Sequence, residues 1–354
     1  MNAPFLRARE TVGLVDFRDP GERARINGFV AEQDGSVFHR PDWIVAVERG
    51  TGQRALGLVA ERDGQVTGWL PLTLVHSPLF GRALVSSGFG VGGGPLARDA
   101  AARTALLRSA QELALRSGCA NIELRSDVRA PDWRRVTESH ANFARDLASD
   151  DDAELLAVPR KHRAEIRKGL KNDLHIVVGQ GEADCAAHYG IYAASVHALG
   201  TPVFPRALFD AMLDTFGKDA DILTVRHEGE AVASVLSFYH DGSVIPFWGG
   251  GTFAARGLRA NERMYFELMR HARERGCTRF DFGRSKTGSG PYSYKKNWGF
   301  EPEPLAYARW TAPGHDARDI DPTSEAYAAK IALWKKLPLR VANTIGPHIA
   351  KGLA

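Results

Sequence analysis

The chain resembles itself. Residues 54–74 read RALGLVAERDGQVTGWLPLTL, and residues 222–239 read ILTVRHEGEAVASVLSFY. Each stretch is a strand, a turn containing glycine (Asp63-Gly64 or Glu228-Gly229) and a second strand of alternating apolar residues. Each half then reaches a glycine cluster, Gly92-Gly93-Gly94 or Gly249-Gly250-Gly251. A segment of helical spacing follows, marked by Leu106, Ala110, Leu113 and Ala114 in the first half. Met264, Tyr265, Leu268 and Ala272 mark it in the second. Both helices should stop at a Gly-Cys pair, Gly118-Cys119 or Gly276-Cys277, because glycine suits a left-handed cap. A short strand comes next in each half, NIELRS at 121–126 and RFDFGRS at 279–285. The interval from Gly94 to Gly118 is 24 residues, and that from Gly251 to Gly276 is 25.

Matched elements at matched spacing predict a tandem duplication. The fold class is α/β (α+β), with two domains, each a mixed sheet flanked by helices. The alternative is two unrelated domains that share a common β-β-α-β order. An acidic, turn-rich stretch, ASDDDAE, places the boundary near residue 150. This gives an N-terminal domain at 1–150, a C-terminal domain at 151–312 that carries the densest chemistry, and a basic amphipathic tail at 313–354.

With 354 residues, 44% of them apolar, the chain can fill more than one core. Three cysteines without a C-x-x-C pair argue against a disulfide scaffold and for reduced thiols. The opening stretch MNAPFLRARETVGLVDF has no apolar signal-peptide region, and no apolar run is long enough to span a bilayer. The expectation is a cytoplasmic protein. The twelve histidines show no ligand spacing, so no metal is expected. There is no G-x-S-x-G elbow and no Gly-Lys-Ser/Thr phosphate loop.

The densest constellation is residues 280–300, FDFGRSKTGSGPYSYKKNWGF. A strand carrying Asp281 leads into a glycine-rich loop with Arg284 and Lys286. Read as a strand, the next stretch sets Tyr292, Tyr294, Lys296 and Trp298 on one face and Lys295 on the other. A cation among aromatics in a partly dry site can stabilise a developing oxyanion. The same residues also suit a plain hairpin with solvated lysines and core aromatics.

Residues 159–171, PRKHRAEIRKGLK, should open a helix at Pro159. Arg160, Arg163, Arg167 and Lys171 then share a face, flanked by Lys161 and Lys168, with Glu165 the one acid. The unbalanced charge suits phosphates or a nucleic-acid backbone, although a solvated face is the usual fate of such runs. The glycine clusters precede helices and can offer backbone amides to an anion, or can serve turns that need positive φ. Gly250, Gly251 and Asn261 are the candidate binding residues there. The tail 324–354 is amphipathic and basic, and would lie on an anionic inner-membrane surface or pack back on its domain.

Several strings resemble a known family. GGGTFAARGLRANERMYFELMRHARERGCTRFDFGRSKTGSGPYSYKKNWGF resembles the second domain of FemAB-type proteins. FHRPDWIVAVERGTG, LFGRALVSSGFGVGGG, PRKHRAEIRKGLK, ALGTPVFPRALF and WKKLPLRVANTIGP look like the subgroup associated with exosortase and PEP-CTERM exopolysaccharide loci. The resemblance runs from about residue 30 to about 350. It implies two domains of the GNAT (acyl-CoA N-acyltransferase) fold and an acyltransferase activity. The well-understood relatives move an amino acid from aminoacyl-tRNA to an amine of a peptidoglycan precursor, and others, of the CelD type, use acyl-CoA. In the former an aromatic-lysine pair sits at the reaction centre. Tyr294-Lys295 takes that place here, with Lys296 as a second register.

The resemblance therefore implies acyl or aminoacyl transfer to an amine or hydroxyl of a cell-envelope or exopolysaccharide precursor, a small molecule or a lipid- or nucleotide-linked sugar. The donor, acyl-CoA or aminoacyl-tRNA, would be a substrate, with no permanently bound cofactor and no DNA partner. Lys295 would stabilise the oxyanion, and Asp281 would act as a general base or orient Lys295 or Arg284. The basic helix would bind phosphates. The rival readings are a catalytically inert binding protein of an exopolysaccharide system and an RNA-binding module.

Overall fold

The computed structural model describes residues 10–318 and 325–353. The elements used below run in this chain order. The first are β1 (Thr11–Leu14), β2 (Arg54–Arg62), β3 (Gln65–Ser77), β4 (Gly81–Ser86), α1 (Ala100–Arg116), β5 (Asn121–Leu124) and β6 (His140–Asp146). Next come α2 (Asp151–Ala157), α3 (Arg160–Lys171), β7 (His175–Gly179), α4 (Glu182–Leu199), β8 (Ala220–His227), β9 (Glu230–His240) and β10 (Ser243–Gly251). The last are α5 (Ala260–Glu274), β11 (Arg279–Asp281), α6 (Gly290–Asn297), β12 (Tyr307–Thr311), α7 (Glu325–Lys336) and α8 (Leu339–Ala350).

The chain forms two compact units, each with one mixed sheet. Among the described residues each sheet has eight strands; leaving aside two- and three-residue strands at the edges, the order is β1-β2-β3-β4-β5-β12 in the first and β7-β8-β9-β10-β11-β6 in the second. The repeat extends to details. The β2–β3 and β8–β9 turns hold both central residues at positive φ: Asp63 (52°) with Gly64 (76°), and Glu228 (49°) with Gly229 (82°). That is the turn whose twist suits a two-residue hairpin. Two pairs beyond each turn the second strand carries one extra residue, Thr67 or Val232. Such a bulge sharpens the strand twist.

Both long helices end alike. Gly118 and Gly276 take positive φ, and the Cys119 and Cys277 amides donate back to the Ala114 and Ala272 carbonyls at 2.8 and 2.9 Å. This double-bonded cap satisfies carbonyls that the helix end would otherwise leave bare. Each sheet then has a parallel pair at its centre. β4 meets β5 only at Leu84–Ile122 and Val85–Glu123, and β10 meets β11 only at Ser243–Arg279 and Val244–Phe280. Beyond those two pairs the strands diverge.

The units divide the chain differently from a cut at 150. The strand His140–Asp146 lies in the second sheet, where Phe280 pairs with Arg145 and Asp281 with Ala144. The strand Tyr307–Thr311, placed by sequence in the second domain, lies in the first sheet, where Trp310 pairs with Ile122. The acidic stretch at 150 is a helix start rather than a linker. The Asp150 carboxylate accepts from the Ala153 amide at 2.9 Å, and Glu154 is fully buried against Arg145.

Residues 292–300 are a second correction. They do not continue as a strand: Gly290–Asn297 is helical. Ser289 caps it by accepting from the Tyr292 amide, and Pro291 stands in its first turn. The alternating aromatics of YSYKKNWGF mimic a strand period, but the local start signal wins. In the second core Phe143, Ile166, Met264, Leu268, Phe280, Trp298 and Phe300 are all buried.

Candidate active site

Glycine lets β10 end in close contact with its neighbours. The end runs extended, so the cluster 249–251 serves close approach rather than positive φ. A Cβ at Gly249 would meet the Tyr265 hydroxyl at 3.0 Å, one at Gly250 would meet Ser195 Cβ at 2.7 Å, and one at Gly251 would meet Asn261 Oδ1 at 2.6 Å. The sheet alternates these contacts between α5 on one face and α4 on the other.

Across the divergence, β11 ends in Asp281 and then Phe282, Gly283 and Arg284. Gly283 holds φ at 73° and gives its amide to Asp281 Oδ1 at 3.0 Å. Asn142 Nδ2, on β6, donates to the same oxygen at 3.0 Å. Burial pushes the Asp281 carboxyl above its usual range, against the pull of those two donors and of the Lys295 charge.

Lys295 reaches this loop from α6. Its Nζ donates to the Gly283 carbonyl at 2.9 Å and to the Arg284 carbonyl at 3.0 Å. It lies 5.6 Å from the Phe143 ring centre and 5.4 Å from that of Phe282. The side chain is buried, and desolvation pulls its pKa down to about 7, with the Asp281 charge opposing and the Arg284 charge assisting. Two of three ammonium protons are thus engaged, and the third is available to another acceptor.

Tyr294 and Lys295 are neighbours that serve different surroundings. Tyr294 joins Tyr265, Phe282, Trp298 and His162 in a cluster of mostly edge-to-face rings, 4.7 to 6.5 Å apart. Three polar atoms in it, Tyr294 Oη, Trp298 Nε1 and His162 Nε2, are buried without a hydrogen-bond partner among the described residues. Burial pushes the Glu262 carboxyl up and the His162 imidazole down, and the nearby Glu262 charge helps raise the Tyr265 and Tyr294 hydroxyls. Lys296 points to solvent. Lys286 sits on a two-residue strand paired with His140.

The basic helix forms as expected, but its members part company. Arg160, Arg167 and Lys171 are exposed. Arg163 instead turns onto the end of α2, donating to the Leu156 carbonyl at 2.9 Å and the Val158 carbonyl at 3.0 Å. Glu165 pairs with Lys168 and Arg259. Arg160, Lys161, Arg163 and Arg167 line an open hollow of about 680 Å³ made by this one helix, a face rather than an enclosed site.

Sequence reasoning missed Asn142, His162, Glu262 and Tyr265. Asn142 stands on a strand assigned to the other domain. His162 is four residues before Ile166 on the inward face of α3, a spacing that could have marked it. On the opposite face of the sheet His188 Nδ1 meets Ser234 Oγ at 2.8 Å, both fully buried.

In the first unit the matching divergence is bridged. Arg125, directly after β5, donates its amide to Ser86 Oγ and donates from its guanidinium to the Ser87 and Gly90 carbonyls. The candidate site therefore belongs to the second unit.

Residues 158–296 match the family model described as an acetyltransferase (GNAT) domain. No curated protein matches the sequence. Among solved structures, FemX is similar with a TM-score of 0.66 at 16% identity, over 81% of this chain and 95% of that one. The tandem GNAT protein from the clavulanic acid biosynthesis pathway scores 0.55 at 13% identity, over 87% and 100%. L-PGS from Bacillus licheniformis scores 0.52 at 15% identity, over 92% and 98%. The chain therefore has the fold of a tandem of two GNAT-like domains, and its residues 158–296 are the stretch that is similar in sequence to an acetyltransferase (GNAT) domain.

Proposed function

We propose that the second unit transfers an acyl or aminoacyl group to an amine or hydroxyl acceptor, with Lys295 at the reaction centre. One observation carries this reading: a buried lysine, its pKa pulled to about 7, is held by two backbone carbonyls at the end of a diverging parallel pair. A plain core has no use for such a charge, whose burial is costly.

The acceptor nitrogen or oxygen attacks the carbonyl carbon of an activated ester or thioester. The new bond forms, the carbonyl oxygen takes negative charge, and the third Lys295 proton bonds to it. Collapse expels the leaving group, which receives the proton lost by the acceptor. A well-placed oxyanion donor lowers such a barrier by about 3–4 kcal/mol. Asp281 and Asn142 act on Lys295 and its loop, since the Asp281 oxygen that accepts from Asn142 also holds the Gly283 amide. Arg160, Arg167 and Lys171 bind donor phosphates, and Asn261, Gly250 and Gly251 line the donor's approach.

Acyl-CoA, the usual donor of the GNAT fold, is the first candidate, with aminoacyl-tRNA the second. The resemblance to the exosortase-associated subgroup supports an exopolysaccharide or envelope precursor as acceptor. The test is ligand-induced thermal shift with acetyl-CoA, longer acyl-CoAs, and charged against uncharged tRNA. A donor at one hundred times its Kd adds about 2.7 kcal/mol of stability. A shift with one donor class identifies it, and Lys295→Ala should bind that donor but turn over orders of magnitude more slowly. No shift with any of them overturns transfer in favour of an inert binding protein.

A further inference from the structure

The C-terminal helices α7 and α8 have one face occupied and one bare. The inner face is fixed to the second unit. His197 donates from Nε2 to the Trp334 carbonyl at 3.1 Å. Ala342, Gly346 and Ala350, spaced four apart, are buried, and a Cβ at Gly346 would lie 3.2 Å from the Val203 amide nitrogen. The outer face carries apolar side chains in water: Leu333 (66% exposed), Val341 (43%) and Ile345 (40%). Val341 and Ile345 stand one turn apart on α8, and Leu333 has Lys336 one turn on.

Charge decides what this face fits. After Glu325 the chain has no acidic residue, while Lys330, Lys335, Lys336, Arg340 and Lys351 are basic. Lys336 and Arg340 are exposed and form no ion pair among the described residues. A second copy meeting this face symmetrically would set base against base. An RNA would engage the bases and leave Leu333, Val341 and Ile345 wet. An anionic bilayer satisfies both sets: apolar side chains enter the acyl boundary, and the long basic side chains reach headgroup phosphates.

We propose that α7 and α8 form a docking surface for an anionic phospholipid membrane. The inner face anchors the helices, and the outer face rests on the bilayer, so the second unit is held at the membrane surface. This does not depend on the acyl-transfer reading, because its readout involves no turnover.

The test is flotation of the full chain with vesicles of equal parts phosphatidylcholine and phosphatidylglycerol, and with phosphatidylcholine alone. The wild type should float with the anionic vesicles only, and less as salt rises. Lys336→Glu with Arg340→Glu should reduce binding by at least about tenfold. Leu333→Ser with Val341→Ser and Ile345→Ser should do the same. All five positions are exposed, so thermal melting should be unchanged. Absence of flotation, or flotation of either variant equal to the wild type's, overturns the proposal. So does a concentration-dependent dimer lost in the apolar variant, which gives the face to a second copy. Lipid-free tRNA binding lost in the charge variant, with no flotation, gives it to RNA.

Discussion

Gly283 accepts at its carbonyl from Lys295 Nζ at 2.9 Å and donates its amide to Asp281 at 3.0 Å. One residue with φ at 73° thus couples the buried cation to a half-buried carboxyl. Side chains other than glycine's rarely adopt that conformation, so the loop and the charge pair are built as one piece.

Lys295 should make stability depend on alkaline pH. Its folded pKa is about 7, and the unfolded value is the ordinary 10.5. Between those values the unfolded chain binds more protons, so this group's contribution rises with pH. The burden is greatest below pH 7 and gone above 10.5. Lys295→Met should therefore raise stability at pH 6 by a few kcal/mol, at about 1.4 kcal/mol per pKa unit. The gain should shrink toward pH 10. Urea unfolding of both proteins at the two pH values measures this. An equal difference at both would show that Lys295 is not desolvated.

The same titration should shape turnover. An oxyanion donor must be protonated, so kcat should fall as pH rises through about 7. A pH profile of kcat at saturating substrates reads this limb directly. A rate that climbs through the same window would make Lys295 a base instead.

Arg163 and its neighbours should separate by experiment. Arg163 holds the end of α2 through two carbonyls, so Arg163→Ala should cost about 1–2 kcal/mol of stability and leave donor affinity alone. Arg160→Ala, Arg167→Ala and Lys171→Ala are exposed changes that should leave stability within about 0.5 kcal/mol. They should weaken binding of an anionic donor and flatten its salt dependence. Thermal melts and a salt titration of donor binding distinguish the two classes.

What the sequence disclosed followed from local rules. Turn glycines, helix caps and apolar spacing are set within a few residues, and they located the hairpins, α1, α5 and the duplication. The exchange of β6 and β12 is non-local, since nothing in HANFARD or YARWT says which sheet will accept it. The α6 error came from weighing alternation in YSYKKNWGF above the Ser-Gly-Pro start before it. Lys295 was legible as a candidate, but its two carbonyl partners lie eleven and twelve residues away, in a loop whose path the sequence does not dictate.

His188 should set the acid limit of stability. It is buried beside Ser234, and desolvation lowers its pKa to about 3 from an ordinary 6.5. Between those values the unfolded chain takes up a proton that the folded chain refuses, so stability is lost as pH falls through that range. His188→Gln keeps a hydrogen-bonding group near Ser234 but does not titrate. Its stability should fall less than the wild type's between pH 6 and pH 4, as urea unfolding would show. An unchanged slope would mean that other groups govern acid unfolding.

Gly169 should reverse an ordinary helix rule. Glycine to alanine inside a helix usually stabilises by about 1 kcal/mol. Here α3 crosses so closely that a Cβ at Gly169 would lie 2.8 Å from the Arg259 carbonyl oxygen and 3.4 Å from the Arg263 amide. Both are backbone atoms and cannot rotate aside. Gly169→Ala should push α3 away from α5 and destabilise by about 1–3 kcal/mol. It should also loosen the Asn172 bond to the Leu258 carbonyl and the Glu165–Arg259 pair beside it. Because His162 rides on the same helix, the shift should reach the Tyr294–Trp298 cluster, read as a change in tryptophan fluorescence. A melting temperature at or above the wild type's would show that α3 is free to move and that its close crossing is not needed.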